Sequence, residues 1–186
     1  MDRVDHYLTS LAQALARTPR EPLWAIEQAL WETYERDGTI IVCGNGGSAA
    51  TASHFACDLA KWTVAAGRRR LRALALTDNV PVMTAWSNDT AYERVFVEQL
   101  MTLYRPGDVL VAISGSGNSP NVLRAVEWAN GQGAPTVGLT GFDGGKLAGL
   151  VRFPLVAAST FMPEVEDMHS AICHGLAVSL GERIKG

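Results

Sequence analysis

The sequence predicts an α/β protein: a five-stranded, mainly parallel sheet flanked by helices. Short apolar runs recur along the chain as "TIIVCG" (39–44), "LRALAL" (71–76), "DVLVAIS" (108–114), "PTVGLTG" (135–141) and "VRFPLVA" (151–157). They are β-branched and apolar at both parities, as strands covered on both faces must be. Stretches long enough for a helix separate the first four, which is the signature of βαβ units.

Two helices precede the first strand. Val4, Leu8, Leu11 and Leu15 recur at helical spacing before Pro19, and a second helical segment runs from about Leu23 to Arg36. Their apolar faces are expected to pack either on the sheet domain or between subunits. The chain is thus divided into a helical extension, 1–36, with a role in oligomer packing, and a sheet domain, 37–186. From Glu164 to Ile184 it reads as helix again, with Pro163 near the start, where proline is tolerated.

The 186 residues, 47% hydrophobic, suffice for one sizeable core. A net charge of −3 gives no electrostatic case for a nucleic-acid partner. The basic cluster Arg68, Arg69, Arg70 and Arg72 is expected to be a solvated loop. Cys43, Cys57 and Cys173 are odd in number and lack disulfide or zinc-finger spacing, and "MDRVDHYLTSLAQAL" has no apolar run suited to a signal peptide or membrane span. A cytoplasmic protein with no membrane partner is expected, with Cys57 and Cys173 packed as small buried residues outside the site.

Ligands of open parallel sheets sit beyond the carboxyl ends of the strands. After the first strand, "CGNGGSAATASHFA" offers Gly44, Gly46 and Gly47 for close backbone approach, and Ser48 opens a helix whose free amides can meet an anion. After the third, "SGSGNSPNV" supplies neutral donors at Ser114, Ser116, Asn118 and Ser119, with Pro120 just inside the next helix. Neither loop contains lysine, and "GNGGS" matches neither the Walker A pattern nor the dinucleotide fingerprint. Hydroxyls, amides and a helix dipole suffice for one phosphate monoester. On the helix after the first loop, His54 and Asp58 stand at i and i+4, on one face, where they could hold a divalent metal.

Together "CGNGGS" with "SHFA", "SNDTAYERVF", "ISGSGNSPNV" and "GLTGFDGGKLAGL" resemble the sugar isomerase (SIS) domain family over about residues 38–181, and within it the phosphoheptose isomerases. The resemblance implies a flavodoxin-like three-layer sandwich. It also implies an aldose–ketose isomerase acting on sedoheptulose 7-phosphate and D-glycero-D-manno-heptose 7-phosphate, zinc-dependent and homotetrameric, with sites lined by neighbouring subunits. It places phosphate binding on Ser114, Gly115, Ser116 and Ser119, and sugar contacts on Asn45, Gly46, Gly47, Asn88 and Asp89.

The same resemblance makes His54, Asp58, Glu166 and His174 the zinc ligands, with Asp58 and His174 as the catalytic pair. Asp58 and Glu166 stand where the family has Glu and Gln. On an uninterrupted helix Glu166 and His174 are separated by about 12 Å of rise, so either Glu166 precedes the regular helix or the ligands come from different chains. Asp167 is a candidate to orient His174, and His169 a further site candidate or a polar surface residue. Alternatives to the heptose isomerase are an isomerase for another phosphosugar and a non-catalytic SIS protein that binds phosphosugars or adapts the replication initiator. The presence of His54, Asp58 and His174 favours chemistry.

Overall fold

The computed structural model describes residues 2–186. Two helices, α1 (Arg3–Ala16) and α2 (Arg20–Glu35), lead into a regular alternation. It runs β1 (Thr39–Gly44), α3 (Gly47–Lys61), β2 (Arg72–Ala75), α4 (Val80–Asp89), a 3-10 turn (Tyr92–Arg94), α5 (Val97–Leu103) and β3 (Val109–Ile113). It continues with α6 (Pro120–Gly131), β4 (Thr136–Thr140), α7 (Gly145–Leu150), β5 (Phe153–Val156) and α8 (Met162–Lys185). The five strands pair in the order β2-β1-β3-β4-β5, and every pairing is parallel. Each strand lies inside the run that the sequence assigned to it.

Strand parity divides the core. Ile40, Val42, Val109, Val111 and Ile113 face one layer, with Ile26 and Leu30 of α2, Phe55 and Leu59 of α3, and Leu176 and Leu180 of α8. Ile41, Cys43, Leu110 and Ala112 face the other, against Phe96, Leu100, Val122, Val126 and Leu147. Both parities are buried, so the strands read as continuous apolar runs, and each full side-chain burial contributes about 1.5–3 kcal/mol.

The N-terminal helices divide in behaviour. Through Ile26 and Leu30, α2 belongs to the main core. In α1 only the C-terminal part of the apolar stripe is covered: Leu11 and Leu15 pack beside Ala14, Val165 and Met168, while Val4 and Leu8 are 62% and 56% exposed. The basic cluster is tied down at one point, where Arg69 lies over the Tyr34 ring and pairs with Asp37 at 3.4 Å. Among the described residues no helix is long and apolar enough to cross a membrane.

The strand order reverses between β1 and β3. Their carboxyl ends therefore diverge into a crevice, the place where open α/β sheets bind ligands. Both glycine- and serine-bearing loops emerge there.

Candidate active site

At the end of β1 the chain turns tightly. Gly44 has no room for a side chain, since a Cβ would lie 2.8 Å from the Ser48 carbonyl oxygen and 2.9 Å from that of Ile113. Gly46 takes φ +54° as the residue before α3, and its carbonyl accepts from Ala49 and Ala50 N–H. Ser48 is buried in the first turn of the helix. Gly47 faces the Glu166 carboxylate, whose Oε1 is 2.6 Å from where a Cβ would stand.

The serine loop closes on itself. Ser114 and Ser119 hydroxyls lie 3.1 Å apart, and Ser116 Oγ accepts from Asn118 N–H at 3.2 Å. Gly117 adopts φ +65°, and Gly115 lies under Met162. Ser119 is the residue before α6, with Pro120 in its first turn. The hydroxyls are thus clustered at the positive end of a twelve-residue helix, a setting whose neutral donors can meet an anion. Asn118 braces this loop: its Nδ2 donates to Ser116 O and its Oδ1 accepts from Lys146 N–H, so its side chain is directed at the protein. Asn88 donates to Asp89 Oδ1 at the exposed end of α4.

Two residues absent from the sequence reading join these segments. Asn121 is 2% exposed and pairs reciprocally with Asn45, each Nδ2 donating to the other Oδ1 at 2.9 Å. Tyr92 OH also donates to Asn45 Oδ1, at 2.9 Å. The sequence signals of both are local, an Asn after a helix-opening Pro and a Tyr in a loop; the pairing spans 76 positions and has no local mark.

The second cluster lies where α3 and α8 pack. His54 and Asp58 share a face of α3, and His174 projects from α8. The two Nε2 atoms are 3.3 Å apart, His54 Nε2 is 3.5 Å from Asp58 Oδ1, and His174 Nε2 is 3.4 Å from Asp58 Oδ2. Zinc bonds of about 2.0–2.1 Å at a tetrahedral angle put neighbouring ligand atoms roughly 3.4 Å apart. The two imidazole nitrogens stand at that spacing, and with one ligand atom taken from each residue the whole set lies within 4.8 Å, so the donor chemistry suits one ion held by three residues with one position open, as in catalytic rather than structural zinc. Beside it runs a cleft of roughly 330 Å³ lined by Asp58, Trp62, His174, Ala177 and Val178.

Other expected residues fall elsewhere. Glu166 lies within the uninterrupted helix α8, which excludes its preceding the regular helix, and it stands outside the His54–Asp58–His174 group, against Gly47. Asp167 does not orient His174: its Oδ2 accepts from Tyr7 OH at 2.5 Å, tying α8 to α1. That contact, together with partial desolvation, pushes the Tyr7 hydroxyl up to about 12, with desolvation the larger cause. His169 is not a surface residue. It is 1% exposed, with Nε2 3.0 Å from Thr140 O and Nδ1 unpartnered, and burial lowers its pKa against the opposing pull of that carbonyl. Cys173 is buried as expected, but Cys57, expected to be buried, is exposed; Cys43 is also buried, which pushes its thiol up to about 12.

The SIS domain family model matches residues 5–141. The phosphoheptose isomerase of Aliarcobacter butzleri is 43% identical over 157 residues, 84% of this chain and 82% of that protein. The lincomycin biosynthesis protein LmbN of Streptomyces lincolnensis is 37% identical over 186 residues, 95% of this chain and 68% of that protein. Among solved structures, phosphoheptose isomerase GmhA from Neisseria gonorrhoeae superposes with a TM-score of 0.89 at 33% identity, covering 97% of each chain. With the reversal point of the sheet, the serine loop and the His–Asp cluster already in place, these likenesses identify the chain as a member of the SIS domain family and, within it, of the phosphoheptose isomerases.

Proposed function

We propose that the chain interconverts D-sedoheptulose 7-phosphate and D-glycero-D-manno-heptose 7-phosphate through an enediol, with Ser114, Ser116 and Ser119 holding the phosphate and Asp58 and His174 moving the protons. The observation that carries this reading is the 3.4 Å approach of the Asp58 carboxylate to the His174 imidazole. The two helices that bring them together both begin at the crevice, beside the anion loops. Moving hydrogen between C1 and C2 needs a base at carbon and proton transfer at the two oxygens. A carboxylate acts as that base, and an imidazole beside it takes and returns the oxygen-bound protons through the ring nitrogen that no metal holds. About 10 Å of α3 separates Gly47 from His54, a spread suited to a long sugar phosphate.

Zinc is the metal proposed, held by His54, Asp58 and His174. When bound, it supplies Lewis-acid polarisation of the sugar carbonyl. Glu166 is proposed to meet sugar hydroxyls at the glycine loop with Asn45, Gly46, Gly47, Ser48, Asn88 and Asp89, while Gly115 and Asn118 shape the cradle. The proposal includes a homotetramer assembled through exposed apolar side chains of the N-terminal helices, among them Val4, Leu8 and Trp24. It places the protein in the cytoplasm, in keeping with three free thiols.

The test is purified protein with sedoheptulose 7-phosphate in deuterated water, followed by proton NMR with and without added zinc. Deuterium incorporation at C1 or C2, lost on chelation and restored by zinc, is expected. Absence of exchange with the heptose but exchange with another ketose phosphate would move the activity to a different sugar. No exchange with any of them would remove it.

A further inference from the structure

We propose that Asn121 is a positioning residue for the isomerisation, and Tyr92 its support: joined at the Asn45 carboxamide, they fix the spacing between the phosphate loop and the sugar loop without touching the substrate. This inference rests on the functional reading above and deepens it.

Three segments that the reading assigns to substrate meet at one amide. Asn45 belongs to the sugar loop, Asn121 lies two residues beyond Ser119 of the phosphate loop, and Tyr92 follows Asn88 and Asp89 on the third segment. The Asn45–Asn121 contact is a ring of two hydrogen bonds, both 2.9 Å, in which each side chain donates once and accepts once. Asn121 Oδ1 also accepts from Val122 N–H at 3.0 Å, and Asn45 Oδ1 also accepts from Tyr92. Both carbonyl oxygens therefore carry two donors, leaving them little capacity for a ligand.

Only primary amides on both sides satisfy this pattern. An alanine at 121 leaves Asn45 with an unpaired amide in a partly buried place, and an aspartate has no hydrogen to return to Asn45 Oδ1. Neither change alters the Ser114, Ser116 or Ser119 hydroxyls that hold the anion. The consequence is specific: the anion cradle survives, but its distance from the sugar loop is no longer enforced. A displacement near 1 Å in a reacting complex costs on the order of a hundredfold in rate.

The full chain is assayed with sedoheptulose 7-phosphate, with inorganic phosphate as a competitive probe of the cradle alone. For Asn121→Ala, kcat/KM is expected to fall about tenfold to a hundredfold, while the inhibition constant for inorganic phosphate stays at its wild-type value. Tyr92→Phe, at a half-exposed residue, is expected to give a smaller fall of about threefold to tenfold in the same pattern. In contrast, Ser116→Ala with Ser119→Ala weakens phosphate and substrate together. If Asn121→Ala does not fold, Tyr92→Phe decides alone. An active wild type whose variants keep kcat/KM, or lose phosphate affinity in parallel with it, overturns the inference by itself. A wild type inert towards the heptose phosphate overturns the functional reading first, and this inference with it.

Discussion

Asp58 divides its carboxylate between two imidazoles, Oδ1 towards His54 at 3.5 Å and Oδ2 towards His174 at 3.4 Å. A glutamate, the residue found here in the family the sequence resembles, has one methylene more; the shorter side chain still reaches both rings because α3 and α8 are packed closely here. Asp58→Ala or His174→Ala should lower kcat by about a hundredfold to ten-thousandfold with the circular dichroism spectrum unchanged; full activity in both would remove the pair from catalysis. His169 yields a different expectation. Its buried ring stays neutral below its ordinary value of 6.5, while the unfolded chain takes up a proton there. Stability is therefore present above that pH and is lost as pH falls through the lowered folded value. Melting temperature should drop more steeply between pH 7 and 5 for the wild type than for His169→Leu; identical slopes would exclude the residue. The sequence marked His54 and Asp58 by their spacing, but it gave His169 and Cys57 the wrong surroundings. Burial depends on what other elements lay over a position, and that is not encoded nearby.

Element by element, the agreement is closest where the pattern is local. All five strands and the three flanking helices named from periodicity are present, because continuous apolar runs and 3.6-residue stripes act within a few residues of themselves. Contacts between elements are another matter. The serine loop leans on α7: Gly117 O accepts from Leu147 N–H at 2.9 Å, and a Cβ on Gly117 would lie 2.1 Å from the Gly144 carbonyl oxygen. Gly117→Ala must therefore adopt an unfavourable φ and also push two backbone segments apart. It should destabilise the protein by about 1–3 kcal/mol in urea unfolding and raise KM for the phosphosugar. Wild-type values for both would mean that the loop does not depend on α7. Likewise the α8 positions that matter, Glu166 at the glycine loop and His174 two turns on, are separated by the straightness of the helix, which the sequence left open.

At the scale of the whole molecule, several large apolar side chains of the N-terminal helices stay uncovered in the single chain. Val4, Leu8 and Trp24 are 62%, 56% and 64% exposed on helices that otherwise pack onto the core. A groove of about 570 Å³ between α1, α2 and α8 lies beside them, lined by Leu15, Leu23, Trp24 and Leu176. Leu8→Glu with Trp24→Glu should reduce the solution mass measured by light scattering while leaving the secondary structure in place, since neither side chain is part of the core. An unchanged mass would separate these helices from assembly. What the sequence by itself determined was the class of fold, the place of the glycine and serine loops at strand ends and the His–Asp spacing, all written in short-range pattern. What only the tertiary structure decided was the company these residues keep: the distances within the His54–Asp58–His174 cluster, the Asn45–Asn121–Tyr92 junction, and the separation of Glu166 from that cluster. Such pairings join positions many residues apart, and they exist only once the sheet order has brought their elements side by side.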